Sequence, residues 1–375
     1  MRAKKKFRSH QAVNERGPRP FLPTRESIKR AFVFALLGLI FFAGFFGLDR
    51  SLNWVLRREF QHIVIGEQEG GKVNQGIQKK ADVYVFGNSR ARNQYNPEVM
   101  APILGMSVFN AGISGLDILY YRCYADVLEQ HHIAKMYIVQ INLEDLHNGG
   151  WQYARRKVMS SFLRESVVVR EVMYFDLGSW MQSNVKKYKY IWTYHFNARM
   201  PLFARQAWGE KPLSDNGFIP LTDPFFDDEA GMRTAYKHEY DEFAVEQLLK
   251  FIDQARSKDI QVILSMSPEY RYYQDFQVRK DEWYFILGIM QIAREKQVPL
   301  IPLMEGAHPY FRDPAYYANC NHLNLQGANF FSDQVARHVN LIRAIKTKAE
   351  FKKSIYYPVM KPGDSYPINP AHFVR

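Results

Sequence analysis

The sequence predicts an α/β protein: a three-layer α/β/α, doubly wound parallel sheet, preceded by one N-terminal transmembrane helix. Two observations support this fold class. From Ala81 onward, short apolar runs typical of strands alternate with segments whose apolar residues recur at helical spacing. That alternation is typical of parallel sheets with crossover helices on both faces. Ahead of it, an uncharged apolar run is long enough to cross a bilayer as a helix.

Five segments predict the strands of the sheet: "DVYVFG", "SVFNAG", "KMYIVQINL", "IQVILSMSP" and "VPLIPL". The third is rich in apolar residues, which predicts a central position. The segments between them predict helices, as in "GLDILYYRCYADVLEQHH", where the apolar residues that recur at helical spacing are Leu116, Leu119, Tyr120, Cys123 and Val127. In such sheets, ligands bind at the carboxyl ends of the strands.

The apolar run "AFVFALLGLIFFAGFFGL" (Ala31–Leu48) indicates a membrane anchor. A signal peptide usually has a shorter apolar region of about 7–15 residues, and a buried soluble helix is rarely apolar on every face. Basic residues precede the run, so the positive-inside rule keeps the N-terminus in the cytoplasm. We therefore expect a single-pass protein of the cytoplasmic (inner) membrane whose main domain is periplasmic or extracellular.

The predicted organisation has five parts. In order, they are a basic cytoplasmic tail (1–30), the transmembrane helix (31–48), a juxtamembrane segment and linker (49–80), the α/β domain (81–348) with an insertion or lid at about 151–235, and a C-terminal tail (349–375).

The formal net charge of +12 is concentrated near the N-terminus rather than spread over the domain. The rest of the chain intersperses acids and bases, without the basic stripe that a phosphate backbone needs. Nucleic acid is therefore not an expected partner. The two cysteines, Cys123 and Cys320, show no zinc spacing and are expected to be free thiols, although a disulfide between them stays open. No metal or cofactor is expected.

Two polar segments follow the first two predicted strands. In "FGNSR", Gly87 permits a tight turn and Ser89 stands where a helix begins, either as an exposed nucleophile or as part of a helix cap formed by Asn88 or Ser89. In "NAGISG", Gly112 allows a backbone N–H to approach a ligand closely.

Two further polar segments lie at the end of the third strand and before the last helix. "INLEDL" contains Asn142 and Glu144, and "NCNHLNLQGA" contains His322 with Asn319 three positions earlier. Because residues three apart lie on one side of a helical or turn-like segment, Asn319 can orient the histidine ring.

Taken in order, these four segments resemble the blocks of the SGNH (GDSL-type) hydrolase superfamily, and more narrowly its membrane-anchored bacterial branch with a G-N-S-R nucleophile block. The resemblance covers roughly residues 81–345, with the middle segment unmatched. It implies an SGNH/flavodoxin-like fold with Ser89 as nucleophile and His322 as general base. It also implies an oxyanion hole formed by the N–H groups of Ser89 and Gly112 and the side chain of Asn142.

Two positions depart from the family pattern. The third block is usually G-x-N-D, so either Asn142 supplies the amide from a shifted position or Glu144 has replaced it. Asn319 stands where the family usually has Asp, and Asp313 is a possible substitute carboxylate. The remaining expected substrate-binding or supporting residues are Asn88, Arg90 and Asn324.

The resemblance implies a serine esterase or O-acyltransferase that acts on acylated cell-envelope carbohydrate or another ester. Aromatic residues of the insertion offer surfaces for sugar rings or, equally, ordinary packing: Trp180, Tyr188, Trp192 and Phe225. The two departures favour an alternative, a catalytically weak SGNH-like module that binds envelope polysaccharide or a partner protein. The acyl group, the acceptor and the oligomeric state stay open.

Overall fold

The computed structural model describes residues 24–142, 145–146, 158–159, 161–163, 165–173, 202–225, 241–270, 276–303 and 309–344. Five parallel strands form one sheet in the order β2-β1-β3-β4-β5. They are β1 (Val83–Phe86), β2 (Val108–Asn110), β3 (Met136–Gln140), β4 (Gln261–Met266) and β5 (Leu300–Pro302). The α/β class and the central position of the third strand are confirmed.

A two-stranded antiparallel hairpin, β6 (Tyr317–Asn319) and β7 (His322–Leu323), stands apart from this sheet. The helices are α1 (Arg25–Phe60), α2 (Gly71–Lys79), α3 (Ser89–Gln94), α4 (Pro97–Leu104), α5 (Ile118–Glu129), α6 (Val167–Met173), α7 (Glu242–Ser257), α8 (Phe276–Glu295) and α9 (Leu325–Ala344).

Side-chain oxygens fix where several helices begin. Asn88, Asn96, Asp117 and Asp241 each accept a backbone N–H from the first turn of α3, α4, α5 and α7, respectively. Each of these oxygens satisfies an N–H that has no partner inside its helix. Asn88, which follows β1, thus marks the start of α3.

Alternate residues of β1 serve two separate hydrophobic cores. Tyr84 and Phe86 pack in the larger core with residues of α2, α5, α7 and α8. Val83 and Val85 pack in the smaller core with residues of α4 and α9. Since successive side chains of a strand point to opposite faces, helices cover both faces of the sheet.

The N-terminal helix is longer than the predicted span of 31–48, because α1 continues on both sides of the apolar run. Its segment Arg25–Leu48 has a mean hydropathy of 2.5 over its best window, and none of that window is buried. Among the described helices, this is the one that is long and apolar enough to cross a membrane. The chain divides into two compact units, residues 1–55 and residues 56–375.

The second half of the predicted juxtamembrane segment and linker (49–80) packs into the core of the domain. Phe60, Ile63, Ile65 and Val73 are buried in the larger core, and the second compact unit begins at Leu56. The many glycines of this segment are typical of a linker. In the structure, Gly71 and Gly76 instead allow α2 to approach neighbouring atoms closely.

Part of the predicted insertion is docked on the domain. Gln206 accepts the N–H of Val64 and donates to the carbonyl of His62, both at 2.9 Å. Further along, the carbonyl of Asn216 accepts the N–H of Asn110 at 2.9 Å. Most of the rest of the insertion, the basic tail up to residue 23 and the C-terminal tail lie outside the described residues. Both cysteines are buried free thiols, as expected.

The aromatic cluster around Phe86 should carry a large part of the stability of the domain. Phe86 is fully buried, with its ring centroid 5.6 Å from Tyr124, 5.0 Å from Tyr137 and 5.6 Å from Phe251. We expect Phe86→Ala to lower the free energy of unfolding by about 3–5 kcal/mol, because the cavity cannot collapse fully. Denaturant titration of the full chain in detergent micelles measures this change.

Leu341→Ala is the matched control, since Leu341 is 65% exposed and a surface change should stay within about 0.5 kcal/mol. Equal stability of the two variants would contradict the packing described for Phe86.

Candidate active site

Ser89 lies at the carboxyl edge of the sheet, on the first turn after β1. The strand ends at Phe86, and Asn88 Oδ1 accepts the N–H of Arg90 at 2.9 Å, which starts α3. Asn88 therefore provides the helix cap, and the Ser89 side chain is left for another contact. The helix cap in this tetrapeptide is thus Asn88, and Ser89 remains the candidate nucleophile.

Gly87 is required by the close approach of neighbouring elements. A Cβ at this position would lie 2.4 Å from Ala91 Cβ and 2.7 Å from Gln140 Oε1. The turn before Ser89 thus passes between the first turn of α3 and the end of β3, with no room for a side chain.

His322 faces Ser89 from the β6–β7 hairpin. Its Nε2 lies 2.8 Å from Ser89 Oγ, and its Nδ1 lies 2.9 Å from Asn319 Oδ1. The N–H groups of Asn321 and His322 also donate to Asn319 Oδ1, both at 3.0 Å. The hairpin turn therefore holds the histidine ring directly against the serine.

These contacts determine the tautomer of His322. Because two backbone N–H groups donate to the same Asn319 atom, that atom is the amide oxygen and not the nitrogen. Nδ1 must then carry the proton and donate it to Asn319. Nε2 is left with a lone pair, which accepts the hydroxyl of Ser89.

The environment keeps the His322 ring neutral. Burial, and secondarily the positive charges of Arg90 and Arg92, lower the pKa of His322 to about 4, against the opposing effect of Glu269. The ring is consequently a base at neutral pH, but a weaker one than an ordinary histidine.

Glu269 is a site residue that the sequence did not reveal. Its Oε1 contacts Nη1 of Arg90, and the side chains of Glu269 and Arg90 are 15% and 6% exposed. Glu269 stands in "MSPEYRYY", where an acid after a strand looks like ordinary loop polarity. Only the structure shows that this loop meets α3.

The N–H of Gly112, which is expected to be an oxyanion donor, donates to Asn110 Oδ1 at 3.0 Å in this structure. The glycine is needed for packing, because a Cβ would lie 2.6 Å from the backbone nitrogen of Arg92. Gly115 follows on the same loop with φ of +70°, and within the described residues its N–H has no acceptor.

The buried side chain of Lys72 contacts the loop that contains Gly112. Lys72 Nζ donates to the carbonyls of Gly112 and Gly217, the latter at 2.7 Å, and lies 3.5 Å from Glu67 Oε1. Burial lowers the pKa of Lys72 to about 8, partly offset by Glu67. The ammonium group thereby links the loop after β2 to the docked part of the insertion.

Three buried polar side chains at or just after the ends of β3 and β4 have no hydrogen-bond partner among the described residues. Over the part of the chain that the structure describes, neither side-chain atom of Gln140 or Asn142 makes a hydrogen bond, nor does Ser267 Oγ. Asn142 is 5% exposed, and its backbone N–H donates to Asp145 Oδ2 at 2.8 Å. Of the two alternatives for the third block, Asn142 has a buried side-chain amide without a hydrogen-bond partner among the described residues. Glu144 lies outside the described residues.

The remaining predicted residues have structural roles or are not described. Asp313 does not replace the missing carboxylate, because it caps a 3-10 helix through the N–H of Ala315 and Asn319 holds the ring. Asn324 caps α9 through the N–H of Gly327. Of the four aromatic residues, Phe225 packs edge-on against Tyr270, and Trp180, Tyr188 and Trp192 lie outside the described residues.

No protein-family model matches this chain. No curated protein matches it either. A serine hydroxyl, a neutral imidazole that accepts its proton and an amide that orients the imidazole form the arrangement of a nucleophile activated by a base. It can support acyl transfer through a covalent serine ester.

The low pKa of His322 should make the stability of the protein depend on pH. The ring titrates at about 4 when folded and at about 6.5 when unfolded, so the unfolded chain binds the proton first as the pH falls. The stabilising contribution is complete above pH 6.5 and is lost between 6.5 and 4. It amounts to at most about 3 kcal/mol, because one pKa unit corresponds to about 1.4 kcal/mol.

Denaturant titrations at pH 7 and pH 4.5 of the wild type and of His322→Gln would measure this contribution. The wild type should lose more stability than the variant on acidification, since every other titrating group is common to both. Parallel losses would show that the ring is not buried in its neutral form.

Proposed function

We propose that this protein is a serine esterase or O-acyltransferase of the SGNH type. The observation that carries the proposal is the chain of contacts from Asn319 through His322 to Ser89, with distances of 2.9 and 2.8 Å. These residues come from segments more than 200 positions apart, yet their hydrogen-bonding groups are paired in the order that nucleophile activation requires.

The proposed reaction begins when Ser89 Oγ attacks the carbonyl carbon of an ester. His322 Nε2 takes the hydroxyl proton, the bond to the leaving alkoxide breaks, and the ring returns the proton to that oxygen. Water or a sugar hydroxyl then attacks the acyl-serine by the same steps in reverse. Hydrolysis and transfer differ only in this second nucleophile.

The negative charge on the carbonyl oxygen needs N–H donors. The N–H of Ser89 is one, because it stands at the start of α3 and, among the residues described, has no acceptor. The buried side chain of Asn142 is the second. Each such donor typically contributes a factor of about 10²–10³ in rate.

The sheet supports membership of the SGNH superfamily. Its order, β2-β1-β3-β4-β5, is that of flavodoxin-like doubly wound sheets. Ser89 follows the carboxyl end of β1, next to which the chain order of the strands reverses. This switch point is where ligands bind in such folds.

We place the domain outside the cytoplasm, anchored in the inner membrane. The apolar helix and the basic residues before it support this orientation. By analogy with the SGNH superfamily, we propose an acylated cell-envelope carbohydrate as the substrate class.

A catalytically weak module that binds envelope polysaccharide or a partner protein is the second candidate. Asn319 favours it, because an amide orients the ring without stabilising the imidazolium. In one serine protease, the change from Asp to Asn in the triad lowered turnover by about 10⁴. The low pKa of His322 acts in the same direction.

A fluorophosphonate probe distinguishes the two candidates. The full-length protein in detergent should be labelled at Ser89, and Ser89→Ala should abolish labelling because the nucleophile is gone. Ser107→Ala is the matched control, since Ser107 Oγ is engaged with Asp82 at 2.9 Å, and it should label like the wild type. A folded wild-type protein that resists the probe would favour the binding module.

Asn319→Asp tests the role of the neutral amide. A carboxylate can keep the backbone contacts and, when ionised, raises the pKa of the neighbouring imidazole. We expect hydrolysis of p-nitrophenyl acetate to increase by about tenfold or more, within the limit of about 10⁴ set by the reverse change. The acid limb of the pH profile should also move to higher pH.

Gln130→Glu adds an equal charge at an exposed position, the C-terminal cap of α5, and controls for net charge. An acid limb that stays in place in Asn319→Asp would contradict the contact assigned to Nδ1.

A further inference from the structure

A short loop after β4 contacts both halves of the site. Glu269 in this loop pairs with Arg90, the residue that follows Ser89 on α3. The next residue, Tyr270, donates its N–H to the carbonyl of Cys320, 2.8 Å away in the turn of the β6–β7 hairpin. Two consecutive residues thus hold the nucleophile helix and the histidine hairpin.

The charges around the His322 ring come mainly from α3. Arg90 and Arg92 both disfavour the protonated ring, and Glu269 opposes them. Arg92 has its own partner, because its Nε contacts both carboxylate oxygens of Glu67 at 2.8 and 2.9 Å. Glu269 accordingly acts on the charge of Arg90.

The first proton transfer makes this balance important. As the bond from Ser89 Oγ to the ester carbon forms, the hydroxyl proton moves to His322 Nε2 and leaves an imidazolium. A triad carboxylate would stabilise this cation, whereas Asn319 is neutral. An Arg90 without a counter-charge would destabilise it by repulsion.

We propose that Glu269 is a positioning residue, which holds Arg90 and neutralises its charge so that His322 can accept the serine proton beside a neutral Asn319. This inference rests on the proposed function, because it concerns the same proton transfer. Glu269 acts through Arg90 and not through the ring nitrogen Nδ1, which Asn319 occupies.

A titration of the His322 ring tests the charge effect without any turnover. The full-length protein in detergent carries ¹⁵N-labelled histidine, and the resonance is assigned by its loss in His322→Gln. Glu269→Gln should lower the titration midpoint, since the negative charge of Glu269 raises the pKa of the ring. Arg90→Met combined with Glu269→Gln should raise the midpoint above the wild-type value, because Arg90 is the stronger of the two charges.

The double variant removes both partners of the pair together, so it gives an answer even where Glu269→Gln alone does not fold. A midpoint below the wild-type value in the double variant overturns the proposal. So does an unchanged midpoint in a folded Glu269→Gln protein.

The kinetic test is a cycle between positions 269 and 319. Glu269→Gln should lower kcat/KM for p-nitrophenyl acetate by about tenfold or more, as a shift of one pKa unit allows. Adding Asn319→Asp should restore most of that loss, because a carboxylate then lies on the ring itself. A merely structural role of Glu269 would give independent effects that add.

Glu171→Gln is the matched control, since it breaks a comparable pair with Arg122, 3.1 Å long, between α6 and α5. Its kcat/KM should stay within about twofold of the wild type, as for independent sites. A wild type that reacts with the fluorophosphonate while Glu269→Gln reacts equally fast overturns this inference alone. A folded wild type that does not react overturns the proposed function, and this inference with it.

Discussion

The geometry of the site depends on one oxygen atom, Oδ1 of Asn319, which receives three N–H groups. Two come from the hairpin turn, through Asn321 and His322, and the third comes from the His322 ring. The atom that closes the turn is therefore also the atom that sets the ring orientation and its tautomer. Because both depend on the same acceptor, the turn cannot change its shape without moving Nε2 away from Ser89.

The same oxygen leaves the site short of negative charge. A carbonyl oxygen can accept all three N–H groups, but it offers only a dipole to an imidazolium. The positive charge of Arg90 would make that cation still less favourable, and Arg90 is buried where solvent screens it little. The contact between Glu269 and Arg90 would reduce this penalty. Under the proposed function, orientation and charge neutralisation, which one aspartate supplies in a standard triad, are divided between the amide of Asn319 and the carboxylate of Glu269.

The sequence predicted the sheet well because its strands are short, continuous apolar runs bounded by polar turns, as in "DVYVFG" before Asn88. Ser89 and His322 became candidates through the order of the four polar segments and their resemblance to the SGNH blocks, and the structure places His322 Nε2 2.8 Å from Ser89 Oγ. Contacts between distant loops leave no such local pattern. The sequence therefore does not predict the contacts of Glu269 and Lys72. The glycines around Lys72 are typical of a linker, but in the structure they allow close packing.

The buried amides after β3 show why such a site is less stable than an ordinary sheet edge. An unpaired buried polar group typically costs about 1–3 kcal/mol, and Gln140, Asn142 and Ser267 all lack partners in the ranges that the structure describes. A fold selected for stability alone would pair them or replace them with apolar residues. Their position after β3 and β4, at the edge where Ser89 follows β1, is where an acyl oxygen would arrive. In the reaction proposed above, an amide without a partner would be a donor already desolvated, and the stability lost in the free protein would be recovered when the oxyanion forms.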